Sequence, residues 1–518
     1  MASDIDSNTR IFVTAYPSAD GDGYKVVKYR HDDASRHWSG AAHSLRDCCV
    51  THMQAHHLIP IPGQTQWAKR RDDEGAGSGD TSGSSCVVLV DREPQESHPL
   101  VRAGLQLHET VEVIGVYEKK TVDLPDTSGG ECVKASWNPW YQPFMTADVD
   151  GGGSSSNPED TSGEDGSYGN SSSSNKTYRH VIHAIAVRTL QHYSPILAYT
   201  PTADVEARSN GLDFAMMRRR IIKHIAGCLG GDELAATYVL WSLAASWYKN
   251  RRGERVNPFS LSIQHPTMAN THTKSRLINS IEQLVCRVVR LPMSREALQK
   301  MRVASAKHDG LDTDDMVPGV LALADGTLVL LDETLMTEGT LHPPGLSNLM
   351  ALDRCVSQGL VEVDYGVYRK DYSVDLNFIA IATGSSLLKF VDVALPIEPL
   401  PGYDIGRDVS PSVVEVDESM LDQMRFYLTV VKSRSHDKPL NLTQDQMDRI
   451  AAKFAEERGR DRSIPTDTLH LWLKLARANV ATYGRTECEH HSWFDDVVAM
   501  EDERRRRVKA KRDTPQCN

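Results

Sequence analysis

Long apolar segments and CxxC cysteine pairs are both missing from this 518-residue sequence. The longest helix-like apolar stretch, Leu234 to Tyr248, is shorter than the roughly 20 residues that span a bilayer, so we expect a buried helix. The nine cysteines include no CxxC pair, which favours reduced thiols over a disulfide framework. Met1 to Arg10 is polar and has no apolar signal-peptide core. These absences predict a protein of the cytosol or nucleus without a membrane partner.

Basic residues are outnumbered by acidic ones. The 58 lysines and arginines stand against 70 aspartates and glutamates, which gives a net charge of -12. Affinity for nucleic-acid phosphates comes from clustered lysine and arginine, so this balance argues against nucleic acid as the main partner. It favours protein partners.

Two segments contain too few apolar residues to form a core. Residues 72–85 are acidic and rich in glycine and serine, and they predict a flexible insertion in a β-rich domain over residues 1–120, for which an OB-like fold is a candidate. Residues 121–177 contain GGGSSS and SSSSN and predict a disordered acidic linker. Within that linker, WNPWYQPF at residues 137–144 is a candidate docking motif.

Longer periodic segments begin near Tyr178. Gly230 and Gly231 separate two helical stripes, and Asp232 is placed to cap the second helix. A strand, a loop and a helix then follow, as in an open α/β sheet. We therefore predict an α/β domain over residues 178–410 and an all-helical domain over 411–518. Further predicted features are strands at Leu328–Leu331, Leu360–Val363 and Leu376–Ala382 and capping boxes at Thr443 with Gln446 and Thr486 with Glu489.

A loop without glycine lies where this domain would hold a phosphate. Lys274 and Ser275 stand at the positions of the lysine and the serine or threonine of GxxxxGK[ST], and Asp332 and Glu333 end an apolar strand as Walker B carboxylates do. A phosphate cradle needs glycines because Cβ atoms obstruct its inward-turned N–H groups. Gln264 to Ser275 contains none. We therefore interpret all four residues as vestigial, with strand-end capping as the ordinary role of the two carboxylates.

Other candidate sites are weakly supported. Cys488, His490 and His491 form a CEHH fragment without the second pair that a zinc site needs, and the cluster of His52, His56 and His57 is similarly isolated. Ser385 lacks the GxSxG context of a nucleophile. The sequence therefore predicts no catalytic residue, no metal and no cofactor.

A basic run near the C-terminus predicts a nuclear localisation signal. The alternative is a solvated helix end whose cations complement the helix dipole. We favour nuclear import. The run consists of Arg504, Arg505, Arg506, Arg507, Lys509, Lys511 and Arg512.

Taken in order, several segments resemble the family of minichromosome maintenance complex-binding proteins. The resemblance implies an adaptor with a degenerate AAA+, helicase-like ATPase domain. It also implies binding to minichromosome maintenance subunits, with influence on helicase assembly or unloading from chromatin during DNA replication and on sister-chromatid cohesion, the chromatin association being indirect. The matching segments are LIPIPGQTQWAK (58–69), LHETVEVIG (107–115), VIHAIAVRTLQHYSPIL (181–197), GGDELAATY (230–238), LVLLDETLMTEGTL (328–341), PGLSNLMAL (344–352) and LNFIAIATGSSLL (376–388).

Two alternatives to a noncatalytic adaptor stay open. One is an ATP-dependent AAA+ remodeller of the helicase that uses Lys274, Ser275, Asp332 and Glu333. The other is a nucleic-acid binding module built on an OB-like N-terminal domain, which the acidic balance disfavours.

Overall fold

The structure, a computed structural model, describes fifteen stretches of the chain. They are residues 9–17, 24–26, 49–59, 61–76, 86–91, 108–122, 177–190, 194–198, 202–250, 252–307, 316–389, 391–403, 416–435, 442–485 and 492–513. The chain divides into two compact units, each formed by segments that are discontinuous in sequence. The first unit is Met1–Pro60, Thr81–Gln106 and Val111–Thr189, and the second is Ile61–Asp80, Leu107–Thr110 and Leu190–Asn518.

The first unit is a six-stranded sheet. Its order is β2-β1-β3-β4-β6-β5, and every neighbouring pair is antiparallel except β4 with β6. Val88 and Val187 are buried at its centre. No pairing between the edge strands β2 and β5 is seen among the described residues, so the OB-like prediction is not confirmed. The strands are β1 Thr9–Pro17, β2 Tyr24–Val26, β3 Cys49–Leu58, β4 Cys86–Asp91, β5 Val111–Val122 and β6 Thr177–Thr189.

The second unit contains twelve described α-helices and the remaining strands. The helices are α1 Gln66–Ala76, α2 Pro195–Ala198, α3 Thr202–Asn210, α4 Phe214–Ala226, α5 Glu233–Ala244, α6 Thr271–Leu284, α7 Arg295–Lys300, α8 Pro343–Gln358, α9 Glu418–Ser435, α10 Gln444–Arg460, α11 Thr468–Thr482 and α12 Ser492–Asp513. The strands are β7 Tyr248–Lys249, β8 Arg255–Val256, β9 Leu261–Gln264, β10 Val288–Pro292, β11 Ser305–Lys307, β12 Met316–Val317, β13 Leu328–Asp332, β14 Leu360–Asp364, β15 Arg369–Ser373, β16 Asn377–Ala382 and β17 Val393–Pro396.

A parallel five-stranded sheet forms the centre of this unit. Its order is β10-β13-β16-β9-β17, and all four pairings are parallel. Every residue of β9 and β16 is buried, which requires both faces of the sheet to be covered. The predicted α/β class is therefore confirmed. Smaller sheets, β12-β11-β14-β15 and β7-β8, accompany it.

The helix pair before the sheet forms as its sequence predicts. The first helix, α4, ends at Ala226, and Gly230 and Gly231 lie in the turn before α5, with φ angles of 67° and 81° that glycine adopts at little cost. The Asp232 side chain accepts the Ala235 N–H at 3.0 Å and starts α5. The capping box of Thr443 and Gln446 is also present, whereas that of Thr486 and Glu489 lies outside the described residues.

The division of the chain differs from the predicted one at three places. Strand β6 pairs with β4 and β5, so residues 178–189 belong to the first unit instead of to the α/β domain. Residues 72–76, assigned by composition to an insertion, continue α1 of the second unit. The helices after Pro411 share one core with the parallel sheet, because Tyr427 and Trp472 lie in the same buried cluster as Leu261 and Ile379. They are not a separate domain.

The buried apolar stretch Leu234–Tyr248 is mostly α5. Its residues from Ala235 to Ala244 are all buried in the core of the second unit. In the described part of the chain, no helix combines the length and the apolar content that crossing a bilayer requires.

Candidate functional site

The loop after β9 is closed by its own hydrogen bonds. Residues Pro266–Ala269 form a 3-10 turn, and the Met268 side chain is fully buried in the core of the second unit. Six backbone N–H groups between His265 and Lys274 donate to protein acceptors; they belong to His265, Thr267, Met268, Asn270, His272 and Lys274. These groups are therefore not turned toward a phosphate, which a P-loop requires.

Lys274 is bound to the carboxylate at the end of β13. Its Nζ lies 2.5 Å from Asp332 Oδ2 and donates to Thr334 Oγ1 at 2.9 Å. The other oxygen, Asp332 Oδ1, accepts from the Thr334 hydroxyl at 2.6 Å and from the Thr334 N–H at 3.2 Å. Both Asp332 oxygens thus have protein partners, and Mg²⁺ would have to displace them. Ser275 follows Lys274 in α6 and is half-buried.

The second carboxylate, Glu333, is held by the turn after β16. Ser386 Oγ donates to Glu333 Oε1 at 2.8 Å, and the Leu387 N–H donates to Oε2 at 3.2 Å. Burial raises the pKa of the Glu333 carboxyl above its usual value, and these hydrogen bonds oppose the rise. Glu333 is engaged in a structural contact and is not presented to a reacting water.

The basic run of the C-terminal helix α12 is partly buried. Arg504 pairs with the buried Glu501 at 2.7 Å and donates to the Ala394 carbonyl at 3.1 Å, while Arg507 pairs with Asp232 at 2.5 Å. A fully solvated helix end is therefore wrong for these two arginines. Arg506 and Lys509 are exposed and pair with Glu398 and Asp461, and Arg505 pairs with Asp502. The side chain of Arg512 lies outside the described part of the structure.

Glu501 connects α12 to the buried helix α5. The Tyr238 hydroxyl donates to Glu501 Oε1 at 2.5 Å. Burial by itself would raise the pKa of Glu501, but the charge of Arg504 and the hydrogen bonds from Arg504 and Tyr238 lower it below the usual value. The glutamate therefore stays ionised, and the hydrogen bond from Tyr238 connects α12 to α5.

A second lysine reaches the closed loop from α12. Lys511 Nζ donates to Gln264 Oε1 at 2.9 Å, at the end of β9. Burial, with the charge of Lys511, lowers the pKa of His265 below its usual value. His265 is neutral at pH 7 and adds no cation for a phosphate.

The residues at the carboxyl edge of the sheet do not fit a nucleotide with Mg²⁺. The structure brings Lys274 and Asp332, which the sequence singled out as vestigial, together as an ion pair. The sequence indicated neither Met268 nor Ser386, and it placed Lys511 in the basic run without this contact. The missing glycines are the signal that could have suggested a closed loop, whereas nothing local indicates the contact between Lys511 and Gln264.

Metal sites are likewise not formed among the residues that the structure describes. No group of three histidine, cysteine, aspartate or glutamate side chains there could hold an ion. Cys488, His490 and His491 lie outside the described residues, and so does the WNPWYQPF motif.

Comparison with known proteins identifies relatives over most of the chain. A family model described as mini-chromosome maintenance replisome factor matches residues 79–508. Proteins named mini-chromosome maintenance complex-binding protein are similar to the chain. The one from Salmo salar is 26% identical over 317 residues, covering 60% of this chain and 49% of its own length. Those from Rattus norvegicus (27%, covering 63% and 51%) and Arabidopsis thaliana (28%, covering 57% and 48%) are similar as well. The chain spans about half the length of the curated relatives it matches.

Proposed function

The chain belongs to the mini-chromosome maintenance replisome factor family, and from this premise we propose that it is a noncatalytic adaptor for mini-chromosome maintenance subunits. The name of its relatives indicates that those proteins bind the complex. The adaptor would influence assembly of the replicative helicase or its unloading from chromatin during DNA replication, and thereby sister-chromatid cohesion. The ion pair between Lys274 and Asp332 is the observation that supports a role without catalysis.

A degenerate AAA+ ATPase domain is the ancestry that this proposal implies. Strand β16 lies between β9, which precedes the loop with Lys274, and β13, which ends at Asp332. The Asp332 carboxylate at the end of a buried strand supports descent from such an enzyme. The closed loop after β9 supports loss of nucleotide binding.

Thermal unfolding of the full chain with ATP and Mg²⁺ tests the lack of nucleotide binding. A ligand at 100 times its dissociation constant would add about 2.7 kcal/mol of stability. We expect no shift in Tm. A saturable shift that Lys274→Ala abolishes would instead support the ATP-dependent remodeller.

Mixing the full chain with purified mini-chromosome maintenance subunits tests the partner. We expect a subunit to co-elute with the chain on size-exclusion chromatography. The Lys274→Ala variant should still bind that subunit, provided that the variant folds. Failure of every subunit to co-elute would contradict the adaptor proposal.

We propose that the protein acts in the nucleus and that its exposed basic residues contribute to import. Arg506 and Lys509 can be replaced by glutamine with little effect on the fold, because both side chains are exposed. We expect the double variant of the full chain to accumulate less in the nucleus. Unchanged accumulation would show that the basic run is not the signal.

A further inference from the structure

Five cations lie on α4 or beside it, and we name them the α4 basic surface. They are Arg208 of α3, Arg218, Arg219 and Lys223 of α4, and Arg434 of α9. Arg208, Arg219 and Lys223 are exposed, and the other two are half-buried. None of these five residues belongs to the carboxyl edge of the parallel sheet, where Lys274 and Asp332 pair, or to the basic run of α12.

Aromatic rings connect the arginines into one surface. The Arg434 guanidinium lies 5.3 Å from the Phe214 ring and donates to the Gly484 carbonyl at 3.3 Å. The Arg218 guanidinium lies 4.9 Å from the ring of Tyr483, the residue before Gly484. Arg208 lies 4.0 Å over the Phe426 ring, in a cluster against which Phe214 packs. The three guanidinium groups therefore surround the start of α4 and the turn after α11.

The arginines are held by neutral groups. Arg218 donates to Thr482 Oγ1 at 3.2 Å and to Asn479 Oδ1 at 3.5 Å, and Arg434 donates to Ser209 Oγ. In the described stretches, no carboxylate forms an ion pair with any member of the α4 basic surface. Rings and neutral polar groups orient Arg208, Arg218 and Arg434 without neutralising them, and Arg219 and Lys223 are exposed. The charge of all five is therefore available to a ligand.

Three carboxylates lie nearby, and they leave the α4 basic surface with an excess of positive charge. Asp204 and Glu206 are exposed on α3, and Asp213 caps α4 by accepting the Met216 N–H at 2.9 Å. Five cations thus face three carboxylates in a chain whose net charge is -12. By contrast, other arginines of the second unit are paired with acids, for example Arg290 with Glu282 and Arg354 with Asp371.

Two exposed apolar side chains lie among the cations. Met216 is 42% exposed and shares the solvent face of α4 with Arg219 and Lys223, while Tyr483 is 40% exposed beneath Arg218. A nucleic-acid backbone presents dense phosphate charge, which the net negative charge of the chain repels and to which a methionine contributes little. An acidic peptide with an apolar side chain matches both features.

We propose that the α4 basic surface binds an acidic peptide segment of a partner protein, with an apolar residue among its carboxylates. Carboxylates would accept from the guanidinium and ammonium groups, and the apolar residue would pack on Met216 and Tyr483. This proposal does not depend on which protein carries the segment. It therefore stands even if no mini-chromosome maintenance subunit binds the chain.

Fluorescence anisotropy with the full chain tests this proposal. The probe is a short labelled peptide of glutamates with one phenylalanine and one leucine. Arg219→Glu with Lys223→Glu reverses two exposed charges of the surface. Lys300→Glu with Arg302→Glu is the matched control, because it makes the same charge change at exposed positions in and just after α7. We expect about a tenfold loss of affinity, or about 1.4 kcal/mol, in the first variant and less than about twofold in the control.

A second variant, Met216→Ser with Tyr483→Ser, separates packing from charge. It should weaken binding of this peptide but not of one in which alanine replaces phenylalanine and leucine. The proposal is overturned by absence of peptide binding or by equal weakening in the charge variant and its control. Tighter binding of single-stranded DNA, lost in the same charge variant, would assign the surface to nucleic acid. Peptide binding seen only after deletion of residues 145–166 would make the chain's own acidic segment the occupant.

Discussion

Lys274 forms a largely buried ion pair with Asp332, and we expect this pair to stabilise the fold. Its side chain is 10% exposed and that of Asp332 is 17% exposed, so removal of the lysine leaves a largely buried carboxylate without its counter-charge. We expect Lys274→Met to lower the free energy of unfolding by about 3 kcal/mol. Urea denaturation measures this loss.

The double variant Lys274→Met with Asp332→Asn serves as the control. Asparagine keeps an acceptor for Thr334 but carries no charge, so much of the lost stability should return. A change below about 1 kcal/mol in the single variant, together with loss of an ATP-dependent Tm shift, would make Lys274 a phosphate ligand.

Asp325 gives the stability of the second unit a pH dependence. Burial, together with the nearby Asp375 carboxylate, raises the pKa of Asp325 to about 6. Its Oδ1 accepts the Asp375 N–H at 2.8 Å, an acceptor role that asparagine retains. An unfolded aspartate has a pKa near 3.9, so between about pH 4 and 6 the folded chain holds a proton that the unfolded chain releases. The contribution of Asp325 to stability therefore falls as pH rises through this window.

Asp325→Asn removes that titration. We expect the variant to match the wild type near pH 4.5 and to exceed its free energy of unfolding by about 1 to 3 kcal/mol near pH 7.5. Urea denaturation at the two pH values measures the difference. Asp495→Asn, at an exposed position, controls for the loss of one negative charge. A difference between Asp325→Asn and wild type that does not change with pH would contradict the assignment.

The basic run of helix α12 contains both buried and exposed arginines. Arg507 and its partner Asp232 are 9% and 2% exposed, and Asp232 also caps α5. We expect Arg507→Ala to cost about 3 kcal/mol because it leaves this carboxylate buried without its charge partner. Arg506→Ala, one residue earlier and 55% exposed, should cost less than about 1 kcal/mol. Thermal unfolding compares the stabilities of the two variants. Equal losses of stability would show that the burial of Arg507 does not make its ion pair more important than that of Arg506.

Individual elements were predictable where the signal is local. The strand predicted at Leu376–Ala382 is β16, and the cap at Asp232 follows from residue type and spacing. The position of β16 between β13 and β9 was not predictable, because strand order depends on pairing between segments that are far apart in sequence. The partner of Arg507 lies 275 residues away in sequence, so neither interpretation of the run, an import signal or a solvated helix end, includes this buried contact.

The two units also interleave along the chain, and composition alone did not reveal this. Residues 61–76 contribute α1 to the second unit although the strands on either side of them belong to the first. A fragment starting at Tyr178 would therefore lose α1 and most of the six-stranded sheet. Lys274 and Asp332 could be singled out from the sequence, because glycine content and strand ends are local signals. The contacts of Ser386 with Glu333 and of Lys511 with Gln264 join segments that are far apart in sequence and could not be predicted.

Trp67 provides a test of this interleaving in the intact chain. It is 6% exposed, packs with Ile196 and Phe426, and donates from Nε1 to the Glu282 carbonyl of α6 at 3.0 Å. Trp67→Ala should therefore destabilise the second unit by about 3 to 5 kcal/mol, although the residue precedes most of that unit in sequence. The matched variant Val88→Ala removes a fully buried side chain from the first unit and should cost that unit about 1 to 3 kcal/mol.

Amide hydrogen exchange measures the protection of backbone amides in each of the two units separately. We expect Trp67→Ala to speed exchange in α6 and α9 while β4 and β6 keep their protection, and Val88→Ala to do the reverse. Faster exchange confined to β4 and β6 in the Trp67 variant would show that α1 belongs with the strands beside it in sequence. Each unit has its own buried cluster, so loss of one core should leave the amides of the other protected.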